Sequence, residues 1–314
     1  MRAEDTTVVF MGSPAFAVPS LRALATAGYR VVAAVTQPDK PAGRGGALHA
    51  PEVKRIAQEL GIPVVQPDSL RDQAVQTHLA SFEAEVFVVA AYGKLLPRAV
   101  LAMPSHGCIN VHASLLPRWR GASPIVAALL AGDEETGVTL MELAPRMDAG
   151  PIIAARAMPL SPLDTTHAVE PRLAELGAEL LIETLPGWLR GEIVAKPQDE
   201  SAVTTCPLIT KADGHLQSGM SAEQAERAVR AYNPWPGAFV EYRGQRLAIW
   251  SSSVATGPNL EPGTMQLHGK QLAVAFAGGW LVLEEVQRQG SKRMSGQAFL
   301  AGERGQLAPK VGLA

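Results

Sequence analysis

Gly107-Cys-Ile-Asn-Val-His-Ala-Ser-Leu-Leu-Pro-Arg-Trp-Arg-Gly-Ala-Ser-Pro124 runs from an apolar stretch into a turn and then into a helix start. In Cys108-Ile109-Asn110-Val111-His112 the two-residue period of an extended chain sends Ile109 and Val111 to one face and Cys108, Asn110 and His112 to the other. Pro117 breaks the strand, and Ser123 with Pro124 makes an N-cap and first-turn pair for a helix running to Gly132. An amide donor and an imidazole are thereby expected side by side at a strand's carboxyl end, where open α/β sheets place their sites.

Outward from this stretch the chain alternates strand and helix. Residues 7–12, 30–36, 63–66 and 85–91 read as strands, the last apolar almost throughout, as a central parallel strand covered on both faces should be. Helices are expected from Ser13-Pro14 to Gly28, over 51–60 and over 70–82. Two further strands, 137–143 and 152–158, flank a loop carrying Asp148, and a helix from Thr165 to about Leu189 follows, which Pro171 should bend or delay. The pattern predicts an α/β fold with a Rossmann-like, mostly parallel open sheet. Gly12 lacks the G-x-G-x-x-G spacing and reads as a tight strand-to-helix turn, not a dinucleotide site.

Periodicity lapses between Arg190 and Pro207. This polar stretch is taken as a linker (190–207) between a first domain (1–189) and a second (208–314). Ser221-Ala-Glu-Gln224 is a capping box that opens a helix ending before Asn233. Short strands near 238–242, 246–254, 263–268, 271–276 and 280–287, separated by Gly, Pro and Asn turns, predict a small C-terminal antiparallel β-barrel of oligonucleotide-binding (OB) type.

With 314 residues, 47% hydrophobic and 18% charged, the chain has the composition of a soluble globular protein with room for two domains. Arg2, Glu4 and Asp5 before a short apolar run read as the absence of a secretory signal, and no apolar run spans a bilayer, so a cytoplasmic location without membrane contact is expected. Cys108 and Cys206 form neither a disulfide framework nor a metal site of usual spacing, and no structural metal is expected. The formal charge of −2 excludes a uniformly basic nucleic-acid binder, but the charge is segregated. Residues 206–314 carry eleven Lys and Arg against eight Asp and Glu, while residues 1–205 carry seventeen against twenty-two.

The candidate catalytic group is Asn110, His112 and Asp148: an oxyanion donor, a titratable base and an orienting carboxylate. Their side chains are expected to converge at one sheet edge, with Asp148 within direct or single-water reach of the imidazole and His112 titrating above its ordinary value because a carboxylate favours its charged form. Cys108 shares their face and reads as a small apolar packing residue. The Pro- and Gly-rich loop 37–50, with Lys40 and Arg44, is long for a βα connection and has few apolar anchors, so residues 38–50 are expected to be poorly held. Arg288, Lys292 and Arg293 form a basic cluster on the barrel, a candidate polyanion contact.

The chain closely resembles the bacterial methionyl-tRNA formyltransferase family along nearly its whole length. The resemblance is carried by Asn110-Val-His-Ala-Ser-Leu-Leu-Pro-Arg-Trp-Arg-Gly-Ala-Ser-Pro124, with support from Gln37-Pro-Asp-Lys-Pro-Ala-Gly-Arg-Gly45, Ala91-Tyr-Gly93 before Leu96-Pro97, Met147-Asp-Ala-Gly150 and Tyr232-Asn-Pro-Trp-Pro236. It implies the formyltransferase fold, 10-formyltetrahydrofolate as donor, the α-amino group of initiator methionyl-tRNA as acceptor, and no metal. It implies that Asn110 and a protonated His112 bind the developing oxyanion while Asp148 holds the imidazole. It places the folate along Ser114, Leu115, Leu116 and Pro117, beside the turn that contains Tyr92, Gly93, Leu96 and Pro97. Lys40 and Arg44 would meet the tRNA acceptor end, with Arg288, Lys292 and Arg293 on phosphates, and a monomer is expected. A sharp turn there also implies a cis bond between Leu116 and Pro117. The alternatives are a formyltransferase acting on an amino-sugar nucleotide and a non-catalytic tRNA-binding module. The long 37–45 loop argues against the first, and the intact Asn110, His112 and Asp148 against the second.

Overall fold

A computed structural model describes residues 2–42, 47–303 and 306–314. The chain forms two compact units, one of residues 1–124, 135–159 and 170–206, the other of 125–134, 160–169 and 207–314.

The first unit opens with β1 (Thr7–Gly12), α1 (Val18–Thr26) and β2 (Arg30–Val35). The loop after β2 carries a short ribbon in which β3 (Lys40–Ala42) pairs antiparallel with β4 (Ala47–His49), so backbone bonds hold the described part of a loop expected to be loose. Residues 43–46, including Arg44, lie outside the described residues. Then follow α2 (Glu52–Glu59), β5 (Val64–Val65), α3 (Gln73–Ala80), β6 (Val86–Ala90), α4 (Arg98–Leu101), β7 (Cys108–His112), β8 (Arg120–Gly121), α5 (Pro124–Ala131), β9 (Glu135–Glu142), β10 (Ile152–Pro159), α6 (Thr166–Leu189) and β11 (Thr205–Cys206).

The sheet runs β10-β9-β7-β6-β1-β2-β5, with β7, β6, β1, β2 and β5 parallel and β9 and β10 antiparallel at one side. Every residue of β6 and β7 is buried, as near-continuous apolar strands covered on both faces require. Gly12 pairs with Ala90 and Ala90 with Val111, which brings the carboxyl ends of β1, β6 and β7 level. The helix after Thr165 begins at Thr166 and runs through Pro171 and Pro186, so Pro171 does not delay it.

Residues 190–206 of the stretch read above as a linker (190–207) belong to the first unit, and Pro207 opens the last segment of the second. Lys196 and Ile152 exchange backbone hydrogen bonds of 2.8 and 2.7 Å, and β11 pairs in parallel with β8. Their partners are 44 and 85 positions away in the chain, so no local periodicity announces them. In the opposite sense 125–134 and 160–169 join the second unit, because Val126 and Leu129 bury against Ala225, Ala228 and Val229.

That second unit is led by α7 (Ala222–Ala231), on which both halves of the Ser221/Gln224 capping box are formed. β12 (Phe239–Tyr242), β13 (Gln245–Ala255), β14 (Met265–His268), β15 (Gln271–Phe276) and β16 (Gly279–Arg288) form an antiparallel sheet in the order β12-β13-β16-β15-β14. β17 (Met294–Ser295) pairs with β16 and leads into α8 (Gly296–Gly302). The sheet curls into a half-barrel of OB-like type. Its two edges meet the same terminal segment. Glu241 of β12 and Gly312 exchange bonds of 2.9 and 2.8 Å, while Met265 N–H donates to the Pro309 carbonyl and Val311 N–H to that of Gly263, both 2.8 Å. Unpaired edges invite intermolecular pairing, and here the chain's own tail takes both.

Removing residues 309–314 should therefore lower denaturant stability by about 3 kcal/mol or more, at ~1 kcal/mol net per lost hydrogen bond, and promote self-association. Urea titration with sedimentation velocity measures both. An unchanged midpoint and a monodisperse truncated chain would show that the tail does not close the sheet.

Candidate active site

β7 supplies two of the three groups. Asn110 and His112 are buried, 9% and 6% exposed, and sit opposite Met141 and Thr139 of β9. Cys108 lies on the same face, with Sγ directed at the Leu101 carbonyl at 3.7 Å. Burial, helped by Glu142, pushes its thiol up to about 12, so it packs as an apolar group. On the other face a Cβ at Gly177 of α6 would lie 2.7 Å from Val111, which fixes which side α6 covers.

The turn after β7 is tied internally. Leu116–Pro117 is cis, Leu116 N–H donates to the Thr139 hydroxyl at 3.0 Å, and that hydroxyl donates to the Ser114 carbonyl at 2.7 Å. Ser114 is fully buried and its hydroxyl donates to the Arg118 carbonyl at 2.6 Å, leaving Leu115 and Pro117 as the partly exposed members of the turn. Beside it, at the end of β6, Gly93 is exposed and Leu96 and Pro97 are half-buried. Tyr92 is 2% exposed, its hydroxyl has no hydrogen-bond partner among the described residues, and burial pushes its pKa up to about 12.

Asp148 reaches His112 by a route the sequence did not suggest. Because β9 is antiparallel, the β9–β10 loop leaves beside the amino end of β7, where Leu143 N–H donates to the Cys108 carbonyl at 2.7 Å and Glu142 faces Ile109. It must return about 10 Å along β7, three residues of strand, to meet His112. The loop's base is closed by Glu142 N–H donating to the Pro151 carbonyl at 3.0 Å, and a Cβ on Gly150 would stand 1.7 Å from the Glu142 oxygen, so only glycine fits. Asp148 itself has φ +47°, the left-handed region. Its Oδ2 accepts from Gly121 N–H at 2.9 Å, and its Oδ1 lies 3.9 Å from His112 Nδ1. That gap suits one bridging water and exceeds a direct hydrogen bond.

His112 Nε2 lies 3.1 Å from the Trp119 carbonyl, an acceptor only, so this nitrogen carries the proton and donates. In the neutral ring Nδ1 is then a lone pair facing Asp148. Burial pushes the His112 pKa below its ordinary value, against the raising influences of Asp148 and of the Trp119 hydrogen bond. The expected upward shift is thus corrected: desolvation of the imidazolium outweighs the carboxylate, and the 3.9 Å contact is not an ion pair near neutral pH. Asn110's side-chain amide makes no hydrogen bond to the described residues, so its donors remain available on His112's side of the strand.

Residues missed from sequence surround this core. Trp119 (φ +62°) and Gly121 (φ +126°) turn their backbones toward His112 and Asp148, and a Cβ on Gly121 would meet the Cys206 carbonyl at 2.1 Å. Buried Arg120 donates to Gln198 and Glu200, and Gln198 donates to the Asp148 and Gly150 carbonyls. The Arg118-Trp-Arg-Gly121 run was in view as a motif; Gln198 carried no signal.

The proposed polyanion contacts differ in how far they are already engaged. Lys40 is exposed, with Nζ on Gln37 Oε1 at 2.7 Å, and Lys292 is exposed. Arg288 pairs with buried Glu303 and lies 4.3 Å over the Phe299 ring, while Arg293 lies 3.6 Å over Trp250 and 3.8 Å from Glu285. Among the described residues no group of three or more His, Cys, Asp or Glu is placed to hold a metal ion, and no helix is long and apolar enough to cross a membrane.

The lowered His112 pKa sets a sign for pH dependence. The unfolded ring takes a proton near about 6.5 while the folded ring stays neutral. Stability is therefore fully present above about 6.5 and is lost as pH falls toward the folded value. Asp148→Asn removes a raising influence, so His112 should titrate lower still. NMR titration of the ring checks this; a wild-type pKa above the ordinary value, or no change in Asp148→Asn, contradicts it.

Two family models match: "Formyl transferase" over residues 6–185 and "Formyl transferase, C-terminal domain" over residues 208–304. The chain is 48% identical over 294 residues to a methionyl-tRNA formyltransferase of Methylococcus capsulatus, covering 93% of this chain and 96% of that one. It is 45% identical over 296 residues to that of Methylobacillus flagellatus, covering 94% and 96%. Among solved structures, the sugar 3N-formyl transferase WlaRD, determined in the presence of dTDP and 5-N-formyl-THF, aligns with a TM-score of 0.66 at 15% identity over 91% of this chain and 99% of that one, a likeness of fold. This chain belongs to the methionyl-tRNA formyltransferase family.

Proposed function

We propose that the protein transfers the formyl group of 10-formyltetrahydrofolate to the α-amino group of methionyl initiator tRNA. The observation that carries the chemistry is the amide of Asn110, without a hydrogen-bond partner among the described residues, beside a neutral, buried His112 whose Nδ1 lone pair faces Asp148. The neighbouring carboxyl ends of β6 and β7 supply partly exposed, apolar Leu96, Pro97, Leu115 and Pro117, which suit the flat ring of a folate. On this reading a folate bound there presents its formyl oxygen to Asn110.

Attack forms a bond between the amine nitrogen and the formyl carbon and pushes negative charge onto the formyl oxygen. Asn110 donates a hydrogen bond to that oxygen. His112 takes the amine's proton at Nδ1, directly or through one water, and becomes an imidazolium that Asp148 stabilises. The bond from the formyl carbon to the folate nitrogen then breaks, and the imidazolium returns the proton to that nitrogen. This replaces a protonated His112 as oxyanion donor, because Nε2–H is already spent on Trp119 and the ring is neutral before the reaction. Lys40, Arg44 and Lys292 are proposed to meet the tRNA backbone, with Arg288 and Arg293 contributing at the margin because each is already engaged.

The direct test offers the formyl donor with charged initiator tRNA, charged elongator tRNA and an amino-sugar nucleotide in parallel, at low and raised salt. Transfer to initiator tRNA, weakening as salt rises, is expected, because phosphate contacts release counterions. Transfer to the sugar alone would overturn the reading. Asn110→Ala and His112→Ala should each lower turnover by about a hundredfold to a thousandfold while folate binding changes little. Near wild-type turnover in either variant would remove that residue from the mechanism.

A further inference from the structure

We infer that Gln198 is a positioning residue for formyl transfer: it holds the Asp148 turn in register with His112. This rests on the reading that Asp148 acts on His112.

Gln198 stands outside both family-model matches, in the stretch between them. It is 9% exposed, and its amide makes three hydrogen bonds that join Arg120 to the turn. Nε2 donates to the Asp148 carbonyl at 2.8 Å and to the Gly150 carbonyl at 2.7 Å. Oε1 accepts from Arg120 Nε at 2.9 Å. The orientation has no alternative, because a guanidinium only donates and carbonyls only accept. One side chain therefore clamps the turn on both sides of Ala149.

The turn needs a clamp. Asp148 has φ +47°, which an L residue adopts only where its surroundings over-determine it. Its carboxylate is separately fixed by Gly121 N–H, and Gly121 follows Arg120 directly. Arg120 thus ties the backbone bond on one side of Asp148 to the carboxylate bond on the other. Arg120 is 5% exposed and its outer donors reach Glu200, which also takes Arg146. Glu200's side chain is 60% exposed, so that pair is screened by water, and the buried link from Arg120 to the turn is Gln198. His112 and Asp148 stand 3.9 Å apart, beyond a direct hydrogen bond, so that spacing depends on the turn staying put.

The substitutions separate positioning from general support. Gln198→Glu keeps the shape and a partner for Arg120 but loses both donors to the turn. Gln198→Leu loses the whole link. Both are assayed in the full chain with charged initiator tRNA and the formyl donor, and both again in an Asp148→Asn background. The expected result is a fall in kcat of about ten- to a hundredfold, since a displacement near 1 Å can cost that much, with KM for either substrate within about twofold. In the Asp148→Asn background the same changes should cost less than about twofold, because the group through which Gln198 acts is already disabled. NMR of His112 gives a readout independent of turnover: its pKa should move toward that of Asp148→Asn. If Gln198→Leu does not fold, Gln198→Glu carries the test. Equal losses in both backgrounds, or wild-type kcat in a folded variant while Asp148→Asn is impaired, would overturn the inference alone. Wild-type turnover in Asp148→Asn would overturn it together with the reading beneath it.

Discussion

The hydrogen bond from His112 Nε2 to the Trp119 carbonyl uses the ring's donor and leaves Nδ1 as a lone pair on Asp148's side. The two sides of the ring then do different work. Two unit charges at 4 Å attract by about 4 kcal/mol at an effective dielectric of 20, whereas burying an ion costs several kcal/mol. Burial prevails over Asp148, and the His112 pKa lies below its ordinary value.

Holding that arrangement needs backbone in unusual places. Trp119, Gly121 and Asp148 all lie at positive φ, and each is secured by chain from far away in sequence. Trp119 N–H donates to the Thr204 hydroxyl at 2.9 Å, Gly121 is pressed against Cys206, and Asp148 is held by Gln198. The segment 198–206 is therefore part of the first unit's interior wiring, in keeping with the pairing of β11 with β8. Gly150 and Gly121 admit no side chain because carbonyl oxygens of other segments occupy the space.

In the second unit the same economy governs the charged residues. Glu303 is 8% exposed and is satisfied by Arg288, Arg243 and the Tyr242 hydroxyl, while Arg288 and Phe299 stack. A basic residue used in this way stabilises the barrel before it can meet a phosphate. In the same unit His215 stacks on Phe239 at 4.7 Å and Leu216 is fully buried, so this part of the 214–217 segment packs into the core while Gln217 is exposed.

Local patterning was enough to mark the alternating strands and helices, the two faces of β7, the Ser221 capping box and the five barrel strands, because periodicity and capping are decided by residues a few positions apart. It also brought Asn110, His112 and Asp148 forward as candidates. Tertiary structure alone decided the antiparallel direction of β9, and with it the path of the Asp148 loop back along β7. It decided the protonation of His112, since desolvation depends on everything packed around the ring. It decided as well that Gln198, in a stretch without periodicity, lies against Asp148 and Gly150 across 50 and 48 residues of chain. Pairwise contacts at such separation leave no trace in neighbouring residues, because the hydrogen bonds that define them close only once the sheet has formed.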